Sequence, residues 1–168
     1  MNFNNFTIKS QEAVQEAINL AQSRGQQAIE TAHILYGVMK VGENVTNFIF
    51  QKLGLNGQQI SLVLDKQIDS FPKVSGGEPY LSREANEVFQ KATQYSKEMG
   101  DEFVSLEHLL LALLTVKSTV STILKDAGMT EKELRGAISE LRKGEKVTSQ
   151  SSDCLLYTSP SPRDPKTS

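Results

Sequence analysis

Apolar residues recur every three to four positions through much of the chain, which is the spacing of an amphipathic helix. The pattern is clearest after Thr7 and again after Ser82. Its apolar positions are Ala13, Val14, Ala17, Ile18 and Ala21 in the first stretch and Val88, Phe89, Ala92 and Tyr95 in the second. A later stretch, 106–114, is apolar almost all round, which predicts a helix buried between other helices. No stretch alternates long enough to indicate a strand, so the pattern predicts an all-α protein.

The chain also contains an internal repeat. Residues 6–40 align without gaps on residues 81–115, at an offset of 75. The matched identities are Glu12, Gln15, Ala17, Gly25, His33 and Leu35 with Glu87, Gln90, Ala92, Gly100, His108 and Leu110. Each copy accommodates four helices. We therefore predict an eight-helix bundle of two four-helix repeats related by pseudo-twofold symmetry, with repeat 1 over about 6–69 and repeat 2 over about 81–143.

Hydroxyl residues and glycines mark the ends of the predicted helices. Thr7 and Ser82 stand where a hydroxyl can accept a hydrogen bond from the first turn of the first helix in each repeat. Gly25 and Gly100 stand where that helix ends and a left-handed residue is favoured.

Three segments lie outside these helices. Residues 70–80 hold two prolines and a Gly-Gly pair, which predicts a loop between the repeats. Residues 142–150 are polar and charged and are interpreted as a solvated linker, so we place the domain over 1–145 and the start of the linker over 146–153. The composition changes abruptly near this point. We interpret residues 154–168 as a non-native tail, the alternative being a Pro/Ser-rich recognition segment.

Composition narrows the classes of function. The 18 Lys and Arg residues against 20 Asp and Glu give a net charge of −2, whereas a nucleic-acid partner requires a clustered basic surface. No apolar run approaches the roughly 18–20 residues of a membrane span, and the N-terminus does not resemble a secretory signal. The single cysteine, Cys154, excludes an internal disulfide and fits a reducing compartment. We expect a cytoplasmic protein with no nucleic-acid or membrane partner.

Catalytic chemistry finds little support in the sequence. His33 and His108 occupy equivalent positions in the first turn of the second helix of each repeat, and a catalytic or metal site would bring them together. Two histidines without a neighbouring cysteine are too few ligands for zinc. Ser105 and Glu107 flank His108, but residues one and two apart on a helix do not face each other. We therefore expect each histidine to cap the start of its helix or to pack beside the preceding loop, and we expect no enzyme.

A binding surface is the remaining class of function. Two symmetry-related halves leave a groove at their junction, which would accept extended or helical peptide segments if apolar groups line it. The polar residues Thr7, Asp101 and Glu107 lie at helix starts, and we expect them to be exposed at the rim of such a groove. The alternative is that they serve as ordinary caps and solvated charges.

The repeated motif resembles the Clp N-terminal repeat domain. It runs from Phe6-Thr7 through Gly25 to IETAHIL, and again from Leu81-Ser82 through Gly100 to DEFVSLEHLL. The segments VGENVTNFIFQKLG, PKVSGGEPYLSREANEV and LLALLTVKSTVSTILKDAGMTEKELR are similar to the ClpB family of ATP-driven disaggregases in its Bacteroidetes form. The resemblance covers residues 1 to about 150.

The resemblance implies a domain that captures exposed apolar segments of aggregated or unfolded polypeptides for a homohexameric ring of ATPase modules. It implies that Thr7, Asp101 and Glu107 contribute polar groups to substrate handling. By the same resemblance Phe89, Tyr95 and His108 lie near an apolar groove. ATP and Mg²⁺ would bind in ATPase modules whose motifs this chain lacks, so we expect no cofactor here. The moderate charge and the absence of coiled-coil heptads predict a monomer. The alternative is docking of adaptor proteins, as in the related ClpA and ClpC unfoldases.

Overall fold

The computed structural model describes residues 3–74, 76–143 and 146–148. Within them the chain forms eight helices. In repeat 1 these are α1 (Ile8–Ser23), α2 (Thr31–Val41), α3 (Glu43–Leu53) and α4 (Gly57–Asp69). In repeat 2 they are α5 (Arg83–Glu98), α6 (Leu106–Thr115), α7 (Thr119–Asp126) and α8 (Glu131–Arg142). The predicted all-α fold with four helices in each repeat is confirmed, while the tail interpreted as non-native lies outside the described residues.

The predicted helix ends are confirmed by their hydrogen bonds and backbone angles. Thr7 Oγ1 accepts from the Ser10 N–H at 3.1 Å, and Ser82 Oγ accepts from the Ala85 N–H at 3.1 Å. Gly25 and Gly100 follow α1 and α5 with φ of +68° and +73°, a left-handed conformation that costs glycine little.

Two short parallel backbone pairings join the repeats, where the sequence predicts no strand. Strand β1 (Ala28–Ile29) pairs with β2 (Tyr80–Leu81), and Phe6 forms an isolated bridge with Val104. Pairings this short leave no alternation of polar and apolar residues for the sequence to display.

The two pairings are related by the repeat. The Ser82 N–H donates to the Ile29 carbonyl at 3.0 Å, and the Thr7 N–H donates to the Val104 carbonyl at 2.9 Å. At the offset of 75, Thr7 is equivalent to Ser82, and Ile29 is equivalent to Val104. Each repeat therefore binds, through the residues before its first helix, to the residues before the second helix of the other repeat.

The core is shared by both repeats, and α6 runs through it. All residues from Leu106 to Leu114 are buried, as the apolar run predicts. Helices α1 and α2 pack closely, because Gly37 lies against the backbone of Ala13 so tightly that a Cβ at this position would overlap the Ala13 carbonyl oxygen. This glycine sets the separation of the two helices.

Two residues of the polar segment 142–150 are buried, although its composition indicates a solvated linker. Arg142 ends α8 with only 6% of its surface exposed, and Val147 is fully buried against the domain. The solvated interpretation of residues 142–150 is therefore wrong at these two positions. The physical reason is that both residues have partners in the loop between α5 and α6.

No single helix among the described residues combines the length and apolar character needed to cross a membrane. Helices α6 and α7 reach that composition only as a pair, and they are bent by 93° relative to each other.

Candidate functional site

The structure buries all the site residues that the sequence predicts. Their exposed fractions are 0% for Thr7, Phe89, Glu107 and His108, 4% for Tyr95 and 6% for Asp101. The expectation that Thr7, Asp101 and Glu107 lie exposed at a rim is therefore wrong. These side chains have no open surface to offer a ligand, and any effect of theirs on binding would act through the fold.

Arg142 explains why two acidic residues are buried. Its Nε donates to Glu107 Oε2 at 2.7 Å, and its Nη1 donates to Asp101 Oδ2 at 2.6 Å. Its Nη2 donates to Ser105 Oγ at 3.1 Å. The planar guanidinium is suited to several acceptors at once, so one cation from the end of α8 pairs with two carboxylates near the start of α6.

His108 completes this buried network. The Ser105 N–H donates to His108 Nδ1 at 2.8 Å, so the neutral ring carries its proton on Nε2. Nε2 lies 2.8 Å from Asp101 Oδ2 and donates to it. The predicted capping role of His108 is thereby confirmed, and the ring also links the start of α6 to Asp101.

The environment of Asp101 keeps it ionised. Burial by itself raises the pKa of this carboxyl, but hydrogen bonds from His108, the Val147 N–H and Arg142, together with the charge of Arg142, outweigh burial and lower the pKa to about 2. For Arg142, burial lowers the pKa, and the nearby carboxylates of Glu107 and Asp101 outweigh it and raise the pKa. The network is therefore an ion cluster at neutral pH.

Repeat 1 holds an uncharged version of the same arrangement. The Glu30 N–H donates to His33 Nδ1 at 2.9 Å, and His33 Nε2 donates to Gln26 Oε1 at 2.7 Å. Gln26 stands where repeat 2 has Asp101, and its Nε2 donates to the Ile68 carbonyl at 2.6 Å. The predicted capping role of His33 is confirmed as well.

Burial of His33 makes the stability of the domain dependent on pH. Burial, and to a smaller extent the charge of Arg24, lower the pKa of His33 from 6.5 to about 4. Between these values the unfolded chain binds more protons, so the contribution of His33 is full above pH 6.5 and is lost as the pH falls toward 4. We expect the free energy of unfolding, measured in urea, to fall by about 1.5 kcal/mol from pH 6.5 to pH 5 through this residue.

The control for this prediction is His33→Asn, which keeps an acceptor near Nδ1 and cannot titrate. Its free energy of unfolding should change less over the same pH interval. Equal slopes in the two proteins would contradict the assignment.

The remaining three predicted site residues are buried at different places in the domain, where each makes structural contacts. Thr7 caps α1 and donates to Ser10 Oγ at 2.9 Å. The ring of Phe89 packs edge-on against Phe3 and Phe6, at centroid distances of 5.3 and 5.8 Å. Tyr95 Oη lies 2.8 Å from a threonine hydroxyl. The structure therefore brings Asp101, Glu107 and His108 together but does not join them to Thr7, Phe89 or Tyr95 in one surface.

A cleft of about 970 Å³ lies between α2, α3 and α4. Its apolar lining consists of Tyr36, Met39, Phe50, Leu55, Leu62 and Leu64. Charged and amide side chains surround this lining, among them Glu43, Asn56 and Asp65. All its lining residues belong to repeat 1, so this cleft is a different surface from the groove expected at the junction of the repeats.

Helix α4 gives the cleft an exposed apolar edge. Leu62 lines the cleft with 59% of its surface exposed, and the adjacent Val63 is 36% exposed. The sequence carries a signal for this surface. Residues 60–64 read ISLVL, with four apolar residues in five positions, which is more than one buried helix face requires.

The described residues contain no group of three or more His, Cys, Asp or Glu side chains that could hold a metal ion. The carboxylates of Asp101 and Glu107 instead form ion pairs with Arg142. Its Nη1 lies 2.6 Å from Asp101 Oδ2, and its Nε lies 2.7 Å from Glu107 Oε2.

Comparisons with known proteins agree with this architecture. The chain is 90% identical over 153 residues to the chaperone protein ClpB of Bacteroides thetaiotaomicron, which covers 91% of this chain and 18% of that protein. The Hsp104 N-terminal domain of Candida albicans has a TM-score of 0.79 at 22% identity, covering 89% of this chain and 99% of that one. A ClpV N-domain in complex with a VipB peptide has a TM-score of 0.67 at 17% identity, covering 82% of this chain and 86% of that one.

The two structures establish the fold alone, while the relative is a much longer protein of which the chain spans about a fifth. The Clp repeat (R) N-terminal domain model matches residues 5–127, which include α1 to α7 and both copies of the capping histidine. The chain belongs to the Clp N-terminal repeat family.

Proposed function

We propose that this chain binds exposed apolar segments of unfolded or aggregated polypeptides, and that the cleft between α2, α3 and α4 is the contact surface. The observation that carries the proposal is the apolar lining of the cleft together with the exposed side chain of Leu62. Covering an apolar surface that is open to water lowers the free energy, so such a surface favours a binding partner. Because apolar contact is not directional, we expect weak binding with broad specificity.

Named relatives support the proposal. The relative with 90% identity is a chaperone, and a ClpV N-domain of the same fold forms a complex with a peptide. We propose further that the chain acts without catalysis or cofactor, as the N-terminal part of a cytoplasmic, homohexameric disaggregase. ATP and Mg²⁺ would then act in other parts of the longer protein.

A second candidate function is docking of a folded adaptor protein. The complex of the ClpV N-domain with a VipB peptide favours this candidate, because that domain binds a peptide from one particular protein. The two functions differ in what they bind. Capture requires many unfolded chains to bind and their folded forms not to bind, whereas docking requires one stoichiometric partner with strong salt dependence.

The test compares two exposed apolar residues, one inside the cleft and one outside it. Leu62→Asp changes the cleft, whereas Tyr80→Asp changes a residue of β2 that is exposed to a similar degree, 56% against 59%. Amide chemical shifts are followed while a reduced and alkylated model protein is added, and again with its native form. We expect wild type and Tyr80→Asp to bind only the unfolded form, and Leu62→Asp to bind it about tenfold more weakly.

Equal affinities of the two variants would place the contact elsewhere on the domain. No binding of the unfolded form by the wild type, together with binding of a single folded partner, would favour adaptor docking. Because both substituted side chains are exposed, the thermal midpoints should remain close to that of the wild type.

A further inference from the structure

Negative charge prevails among the charged residues that line the cleft between α2, α3 and α4. These residues are Lys40, Glu43 and Asp65. Glu43 lies in the first turn of α3 and Asp65 lies in α4, so two walls of the cleft each carry an exposed carboxylate. Within the described part of the chain neither carboxylate has an ion-pair partner, so both charges remain available to a ligand at neutral pH.

The positive charge of Lys40 is paired with a residue outside the cleft. Its Nζ lies 3.0 Å from Oε1 of Glu16, which belongs to α1 and does not line the cleft. Lys40 and Glu16 together carry no net charge. The lysine therefore does little to offset the two carboxylates of the lining.

Helix termini offset only part of this charge. Helices α3 and α4 both begin at the cleft, where Glu43 and Gly57 line it. Each helix N-terminus carries about half a positive charge, so the two termini together offset about one carboxylate. The side chain of Asn56 also caps α4, accepting from the Gln59 N–H at 3.1 Å. A net negative charge remains beside the apolar lining.

We propose that the cleft selects apolar segments that are flanked by lysine or arginine residues. This inference rests on the proposed function, because it names the class of polypeptide segment that the same cleft binds. The apolar lining would supply affinity for any apolar segment. Glu43 and Asp65 would supply the preference, because walls of low dielectric focus the field of like charges in a cleft and the same field repels an acidic segment.

The test titrates three labelled peptides with the whole 168-residue chain and follows fluorescence anisotropy. The peptides share one apolar core of leucine and phenylalanine, and their ends carry lysines, serines or glutamates. At about 20 mM NaCl we expect the lysine peptide to bind about fivefold more tightly than the serine peptide, and the glutamate peptide to bind most weakly. At about 500 mM NaCl, where the screening length is about 4 Å, the three affinities should converge.

Two double variants remove the same amount of negative charge in different places. Glu43→Gln with Asp65→Asn changes the cleft. Glu12→Gln with Glu87→Gln changes exposed carboxylates of α1 and α5 that do not line it. We expect the cleft variant to bind the lysine and serine peptides equally, and the control variant to keep the preference. Because all four side chains are exposed, the thermal midpoints should stay close to that of the wild type.

The outcomes separate this inference from the proposed function. Equal affinity of the wild type for all three peptides at low salt would overturn the inference and leave the proposed function intact. A preference that survives equally in both double variants would also overturn it, because the preference would then come from the net charge of the whole chain. Failure of all three peptides to bind at either salt concentration would overturn the proposed function as well.

Discussion

Replacing Arg142 with alanine is expected to lower the free energy of unfolding by about 3–5 kcal/mol. The substitution leaves the carboxylates of Asp101 and Glu107 buried without their shared cation, and buried charges without partners are costly. Arg142→Lys should fall between this variant and the wild type, because an ammonium keeps the charge but cannot reproduce the planar fork. Urea unfolding followed by circular dichroism at pH 7 measures all three proteins.

Arg135 provides the matched control on the same helix. It pairs with Glu131 at 2.9 Å and with Glu98 at 3.7 Å, and all three side chains are well exposed. Arg135→Ala should therefore cost about 1 kcal/mol or less. If the two alanine variants were equally stable, the buried network would contribute no more than a surface ion pair, contrary to the geometry.

Gly37→Ala is expected to destabilise the domain by about 1–3 kcal/mol, although alanine favours helices more than glycine does. The added Cβ would overlap the carbonyl oxygen of Ala13, which belongs to the backbone of α1 and cannot rotate away. The two helices would have to separate, which loosens the contact between α1 and α2. The expected result is a lower urea midpoint with little change in the slope of the transition.

Gly136→Ala is the control for that substitution. This glycine lies inside α8 with no atom within 4 Å of an added Cβ, so alanine should stabilise the domain by up to about 1 kcal/mol. The two substitutions are chemically identical and should have opposite signs. A stabilising effect at both positions would mean that α1 can shift away from Ala13 at little cost.

Local features of the fold could be predicted because their causes are local. The spacing of apolar residues gives the helices, and the hydroxyls of Thr7 and Ser82 lie three residues from the amides that they bind. The capping of α2 by His33 likewise spans three residues. Even the burial of α6 is visible in the sequence, since a helix with an apolar surface on every side has no face for water.

The ion cluster could not be predicted because its partners are distant in the sequence. Arg142 is 35 residues from Glu107 and 41 residues from Asp101. Each acid by itself fits a solvated helix start, and Arg142 by itself fits a polar linker, so only the folded chain shows that they neutralise one another. The position of the cleft depends in the same way on how α2, α3 and α4 pack.

The crossed backbone pairings have a consequence for how the domain can form. Neither repeat can satisfy the backbone at Thr7 or Ser82 by itself, because the acceptors Val104 and Ile29 belong to the other repeat. A chain with one repeat would complete both pairings only by binding a second copy, and its stability would rise with concentration. Joining the copies through residues 70–80 makes the reaction unimolecular, so the domain can fold at any dilution.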